Sequence, residues 1–396
     1  MTLRVLFLVN SLCVGGAEKH VVSLVNGLDP ARHRLALTAL KRDDALLPQI
    51  APHRLPDGLS CLDVAQGLSW GAVHRLARQL DAQRTDVLVC TNMYALLYGW
   101  LARALCRRGA KVRLVEVFHS TLPESRKEAR HMVLYRHLVR RADLLVFVCQ
   151  AQADHWHVHG LRARQDVVIH NGIDTARFRD AWSLEDKRRL RAQHGFGEGD
   201  LVVGLCGVMR PEKAHGDFLR ALAQTAKSAH TGYTSRTAHA ASTPDSAGQK
   251  QRVCGWLIGD GPLRAALERD IDALGLRERV RISGFVQDVR PLVAACDAMA
   301  ITSTTETFSL AALEAMALGK PLLMTDVGGA REQVRHGDNG WLVPAGDVNA
   351  MAGALARWQD PAAREAMGRR AAAQVREHFE LAGMVQGFER QFSALV

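Results

Sequence analysis

Two glutamates eight positions apart, Glu306 and Glu314, are the residues of this 396-residue chain whose type and spacing point most directly at chemistry. They lie in residues 302–329, TSTTETFSLAALEAMALGKPLLMTDVGG. Glu306 sits between Thr305 and Thr307 in a polar turn. Leu310, Leu313, Met316, Ala317 and Leu318 then recur at helical spacing, up to Gly319, where a helix would stop. The apolar run 321–324 predicts a buried strand, and Gly328-Gly329 a turn. Eight positions at ~3.6 residues per turn rotate ~800°, so both carboxylates can face one side. Between them the start of the helix offers the backbone N–H groups of Phe308, Ser309 and Leu310, which together with the helix dipole suit a phosphate. Carboxylates on either side of such a cradle do not bind the anion. They accept hydrogen bonds from hydroxyls, a ribose at one end and a sugar at the other, which describes a site for a nucleotide-linked sugar.

Other residues belong to the same chemistry. Strand 201–206 leads into Gly207-Val208-Met209-Arg210-Pro211-Glu212-Lys213 and then a helix from about Gly216. Two cations at a strand's carboxyl end, ahead of a helix, suit a diphosphate leaving group. Gly15-Gly16 connects strand 5–9 to a helix whose apolar face carries Val21, Val22, Leu24 and Val25, so backbone N–H groups can approach an anion closely. The dinucleotide fingerprint G-x-G-x-x-G is absent there, which argues against a dehydrogenase. His119 follows strand 112–118, at a carboxyl end where ligands of open parallel sheets bind. His155, His157 and His159 alternate, which spreads them around a helix, and no metal site is expected from them. Asp270-Ile271-Asp272 has the form of a metal motif but lies in a charged helical stretch, so a solvated face is the reading.

The elements that must position these residues alternate in a βα rhythm of ~25–30 residues: strands 35–40, 87–90, 112–118 and 144–149, helices around 73–80 and 95–107. That is the pattern of a doubly wound parallel sheet. A second series runs through strands 201–206, 253–258 and 280–285. Eight cysteines are scattered singly without C-x-x-C spacing, so neither a disulfide framework nor a zinc site is expected. The N-terminal MTLRVLFLVNSL reads as a first strand rather than a signal peptide, and no apolar run approaches the ~18 residues of a spanning helix. Net charge is +10, unevenly placed: residues 1–180 hold 25 Lys/Arg against 16 Asp/Glu, net +9. The segment 122–141 contributes an amphipathic basic helix, which suggests docking on anionic lipid. Nucleic acid is not expected, since aromatic interleaving and binding motifs are absent. Residues 225–252, rich in Ser, Thr and Ala, read as a disordered surface insertion.

Glu306-x7-Glu314, with the Thr-Phe-Ser-Leu between them and the GKPLLMTDVGG that comes after, resembles the E-x7-E motif of the family-4 retaining glycosyltransferases. Gly15-Gly16-Ala17-Glu18, the His119 position and Asn171-Gly172-Ile173-Asp174 are similar to that family's motifs as well, so the resemblance covers nearly the whole chain apart from the insertion. It implies the GT-B fold, two Rossmann-like α/β domains facing across a cleft. Residues 1–180 would be the acceptor domain, 181–199 a linker, 200–374 the donor domain, and 375–396 a helix crossing back to the first. It implies that Glu306 and His119 approach the donor sugar, Glu314 binds the ribose, and Arg210 and Lys213 hold the diphosphate. The stretches around Gly259, Asp260 and Phe285 would line the base, largely by backbone. Family members usually have Arg directly after the glycine; here Val208 takes that place and Arg210 comes two later. The expected activity is transfer of a sugar from a UDP- or GDP-sugar to a glycan or glycolipid hydroxyl, without metal or other cofactor, in surface polysaccharide or lipopolysaccharide synthesis. The place expected for it is the cytoplasm, or the inner face of the membrane. The rival expectations are a nucleotide-sugar-binding or membrane scaffold without catalysis, and an epimerase of similar fold.

Overall fold

Residues 5–9 are apolar without alternation, as a strand covered on both faces must be, and all five are buried. In a computed structural model of the protein, which describes residues 2–120, 126–234 and 251–396, this run is part of β1, Leu3–Val9. It is followed by β2 (His33–Ala39), β3 (Leu59–Cys61), β4 (Val87–Thr91), β5 (Arg113–Phe118), β6 (Leu144–Phe147) and β7 (Asp166–Val168). Among the described residues these form one parallel sheet in the order β3-β2-β1-β4-β5-β6-β7. A second parallel sheet is built from β8 (Leu201–Cys206), β9 (Val253–Ile258), β10 (Val280–Ile282), β11 (Ala298–Ile301), β12 (Leu322–Thr325) and β13 (Gly340–Val343), in the order β10-β9-β8-β11-β12-β13. The class is α/β, as expected. In each sheet the direction of strand order reverses beside a central strand, between β1 and β4 and between β8 and β11, and the loops leaving those strands open a crevice.

The chain divides into two units: residues 1–172 with 379–396, and residues 173–378. In the first unit, helix Trp70–Ala82 shows how the pattern works. Val73, Leu76, Ala77 and Leu80 are buried at helical spacing, and the Ser69 hydroxyl accepts from Ala72 N to cap the start. The last helix, Leu381–Leu395, buries Met384, Val385, Phe388 and Phe392 within the first unit. There the Phe392 ring lies 6.2 Å from His33, and a Cβ on Gly172 would stand 2.8 Å from the Leu381 Cα.

Several expectations need correction. Residues 181–199 are not a bare connection. They hold helix Leu184–Gln193, started by a capping box between Ser183 and Asp186, and the helix counts with the second unit. The stretch 225–252 is helical at its start, since helix His215–Thr234 runs into it; residues 235–250 lie outside the described residues. The basic helix is described over Arg126–Val139 and ends before residues 140–141, while residues 121–125 lie outside the described ones. Met132, Tyr135 and Leu138 on it are buried, so its apolar stripe packs against the first unit instead of facing lipid. Three-residue β3 had no signal of its own, its side chains being half-buried or exposed at the sheet's edge.

Candidate functional site

In the second unit, the loop after β8 and the loop after β11 meet at the point where the strand order reverses. Pro211–Lys213 forms a single 3₁₀ turn closed by Ala214 in the left-handed region, φ 47°. The Thr302 hydroxyl donates to the Lys213 and Ala214 carbonyls at 2.9 and 3.3 Å, and Thr304 N donates to Glu212 O at 2.8 Å. These bonds carry the pairing of β8 and β11 out into their loops. They also set Lys213 Nζ 2.6 Å from Glu306 Oε2, with Ser303 Oγ donating to the same oxygen at 3.3 Å. Both side chains are partly open to solvent, 32% for Lys213 and 19% for Glu306, so the pair sits at the surface of the crevice where a ligand can reach it.

Glu306 is seated from behind by β12 and by the turn that leaves it. Thr325 Oγ1 donates to Ser303 O at 2.6 Å and to Ile301 O at 3.3 Å. Gly328, at φ 54°, passes so close that a Cβ there would lie 1.9 Å from the Glu306 carbonyl oxygen. Only glycine meets both demands. Gly329 N then donates to Thr307 O at 2.8 Å.

Helix Leu310–Ala317 starts at Ser309, whose hydroxyl accepts from Ala312 N at 3.3 Å. Here one expectation fails. The Ser309 N–H donates to Gln333 Oε1 at 3.1 Å, while Gln333 Nε2 donates back to Ser309 O at 2.9 Å. Gln333 is fully buried and clamps the cap residue, so this N–H is not offered to an anion. Phe308 and Glu314 are both buried, at 4% and 6% exposure, Glu314 one turn inside the helix. Arg210, by contrast, is exposed and lies where the loop begins its 3₁₀ turn.

The loop after β9 closes the other flank. Gly207 N donates to Ile258 O and Met209 N to Asp260 O, 3.0 and 2.9 Å. Gly261, at φ 158°, passes within 2.7–2.8 Å of the Met209 backbone, measured from where a Cβ would be. Asp260 accepts from Gly261 N and from Arg264, and these bonds hold its carboxyl below the usual carboxylate range. Gly259 bridges to Gly284, next to which the Phe285 ring stands 70% exposed. An exposed aromatic at a strand's carboxyl end presents a face for a base to stack on.

The remaining expected residues belong to the first unit. Gly15 precedes helix Gly16–Gly27, and Leu12 in the same loop is tied to the next loop by Leu12 N to Asp43 O, 2.7 Å. His119 follows β5, and its N–H donates to Asn92 Oδ1 at 3.0 Å; Asn92 itself is in the left-handed region at φ 67°. His119 is half-buried as a residue, but its Nε2 is buried, and desolvation lowers its pKa from 6.5 to about 4. It is therefore a neutral imidazole at neutral pH, able to donate at one nitrogen and accept at the other. His20, on helix Gly16–Gly27, places its ring 4.8 Å from that of His119. So the glycine loop's helix and His119 converge, whereas His155 and His159 face each other at 4.4 Å with rings tilted by 32°, at the end of helix Gln150–Val158. Gln333, Asn92, His20 and Ser303 were not expected from the sequence. Gln333, Asn92 and His20 each contribute through a contact between distant segments, whereas Ser303, three residues before Glu306, had a local signal.

Comparison with known proteins places the chain among enzymes of one kind. The family model of the glycosyl transferases group 1 matches residues 186–374, and that of glycosyltransferase family 4 matches residues 14–177. N-acetyl-alpha-D-glucosaminyl L-malate synthase of Bacillus anthracis is 25% identical over 314 residues, 78% of this chain and 75% of that protein. The lipopolysaccharide core biosynthesis glycosyltransferase LpsD of Rhizobium meliloti is 37% identical over 111 residues, 28% of this chain and 32% of that one. Among solved structures, Anabaena Alr3699/HepE in complex with UDP aligns with a TM-score of 0.81 at 26% identity, covering 99% of this chain and 100% of the other. The same protein with UDP-glucose aligns at 0.79 and 26%, covering 99% of each chain.

Proposed function

The chain belongs to the family-4 glycosyltransferases, a GT-B fold, and on that premise we propose that it transfers a hexose from a UDP-sugar to a hydroxyl of a glycan or glycolipid, with retention of anomeric configuration and without a metal. One observation carries this reading: Lys213 and Glu306, from loops on either side of the strand-order reversal, are paired at 2.6 Å in a solvent-reachable crevice. A cation neutralised by a carboxylate can be exchanged onto a diphosphate. When it is, Glu306 is left with open lone pairs and accepts from the sugar's hydroxyls instead. As the anomeric bond breaks, negative charge grows on the departing diphosphate, and Lys213, with Arg210 reaching in from the loop, stabilises it where it develops. Glu314 would take the ribose, Phe285 and the backbone around Gly259 and Asp260 the base, and His119, neutral, a hydroxyl of the sugar. HepE, in complexes with UDP and with UDP-glucose, supports uridine over guanosine, and LpsD supports a surface glycan as the setting.

No helix of the described residues is long and apolar enough to cross a membrane. With the stripe of helix Arg126–Val139 packed inward, contact with an anionic bilayer would run through exposed Arg140 and Arg141 and be electrostatic. The test of the central reading is slow donor hydrolysis. Incubated with UDP-sugars and no acceptor, the protein should release UDP and a sugar whose anomer, read by NMR before mutarotation, matches the donor. Release of the opposite anomer would overturn retention, and release of no UDP from any UDP-, GDP- or ADP-sugar, with or without added glycan, would overturn catalysis.

A further inference from the structure

His119 stands just past the end of a strand, where a chain normally gains freedom because its carbonyls go without partners. Here they do not. Gln152, fully buried on helix Gln150–Val158, accepts from Val148 N through Oε1 at 2.9 Å. Its Nε2 donates to Phe118 O at 2.8 Å and to Ser120 O at 3.0 Å. The carbonyls on either side of His119 thus end on one amide group. That amide is itself fixed to the residue following β6, and Trp156 Nε1 adds a second donor to Ser120 O at 3.1 Å. The backbone is held on both flanks of the residue, and His119 N is held by Asn92.

The ring has its own support. His20 is 1% exposed, and its imidazole stands edge-on to that of His119, at 4.8 Å and 69°. The Phe388 ring of the last helix, fully buried, also lies 5.5 Å from the His20 ring. Neither ring nitrogen of His20 has a hydrogen-bond partner among the described residues. A leucine or phenylalanine would fill that space without burying an unmatched polar group, so packing alone does not account for an imidazole there. An edge-on pair brings a polarised ring edge to the neighbour's π face, a contact sensitive to orientation.

We propose that Gln152 and His20 are positioning residues for His119: Gln152 fixes its backbone, and His20 fixes the plane of its ring. The proposal rests on the reading in which His119 contacts the donor sugar. Neither residue touches substrate, so each should act on turnover only while His119 is present. The test measures UDP-sugar turnover and UDP affinity for the full chain carrying Gln152→Met, His20→Leu, His119→Ala, and each of the first two combined with the third. Gln152→Met keeps length and removes both donors. Each single variant should lower kcat by roughly 10- to 100-fold, the cost of a small misplacement of a reacting partner. UDP affinity should stay within about twofold, because the nucleotide residues belong to the other unit. In the His119→Ala background the same changes should alter kcat by less than about twofold. Should Gln152→Met fail to fold, Gln152→Glu keeps the acceptor for Val148 N and sets an oxygen against the two carbonyls, and it is read the same way. Full turnover in Gln152→Met and His20→Leu, or an equal loss with and without His119, overturns the clamp while leaving the sugar role of His119 standing. Full turnover in His119→Ala overturns that role and the clamp together.

Discussion

Lys213 and Glu306 neutralise each other across 2.6 Å, which makes the two residues unequal in mutation. Without Glu306, Lys213 keeps its site and gains freedom to hold phosphate; without Lys213, the carboxylate faces the diphosphate uncompensated. Glu306→Gln should therefore retain or modestly tighten UDP binding while lowering kcat by ~10²–10³, the usual scale for one preorganised group at the reacting centre. Steady-state kinetics and UDP titration of Glu306→Gln check this; the variant with full turnover contradicts it. The buried histidines set a pH dependence. His119 and His215 have pKa values lowered by desolvation to about 4, and that of His20 is lowered well below 6.5 by burial and by His119. Because the folded values are depressed, the unfolded chain takes up protons first on acidification. The stability these groups contribute is complete above pH ~6.5 and lost as the pH falls from there towards 4, at up to ~1.4 kcal/mol per pH unit per group. Melting temperature should fall steadily across that window, and less steeply in His215→Leu; a curve flat from pH 7 to 5 would refute the assignment.

At the scale of elements, the turn after β12 is what seats Glu306. Gly328→Ala puts a Cβ 1.9 Å from the Glu306 carbonyl in a backbone region that alanine disfavours. The loop must move, at a cost of ~1–3 kcal/mol, and activity should fall well beyond the loss of stability. A variant melting several degrees lower with unchanged kcat would contradict this role of the turn. This part of the site was half legible. Gly328-Gly329 reads from sequence as a turn, and Glu306-x7-Glu314 as a turn followed by a helix. That the turn presses on Glu306 does not, because contact between residues 22 positions apart depends on the pairing of β11 with β12. Gln333 is the sharper case. It occupies the Ser309 N–H that the helix start offered to an anion, and nothing in its neighbourhood of sequence marks it. Likewise Asn92 and Gln152 look like ordinary polar residues of two helices until the fold brings them to His119. Alternation of His155, His157 and His159 in sequence suggests that they spread apart, yet at a separation of four His155 and His159 share a helix face and their rings meet.

At the scale of the whole molecule, parallel α/β architecture and the two strand series were legible because buried parallel strands are short unbroken apolar runs. Edge strand β3 was not, nor the helix within 181–199, which buries no side chain and shows no apolar stripe. The uneven charge, +9 within residues 1–180, predicts that the protein co-sediments with vesicles containing anionic lipid and not with neutral ones. Binding should vanish as salt shortens the screening length to roughly 3–5 Å; retention at high salt would mean that an apolar surface inserts instead. Catalysis as proposed depends on the exchange of Lys213 from Glu306 to a diphosphate. The most direct measurement is calorimetric titration of UDP into wild type, Lys213→Met and Glu306→Gln. We predict binding by wild type, equal or tighter binding by Glu306→Gln, and a loss of at least about tenfold in Lys213→Met. Equal affinity in all three, or no binding of UDP by any, would contradict it.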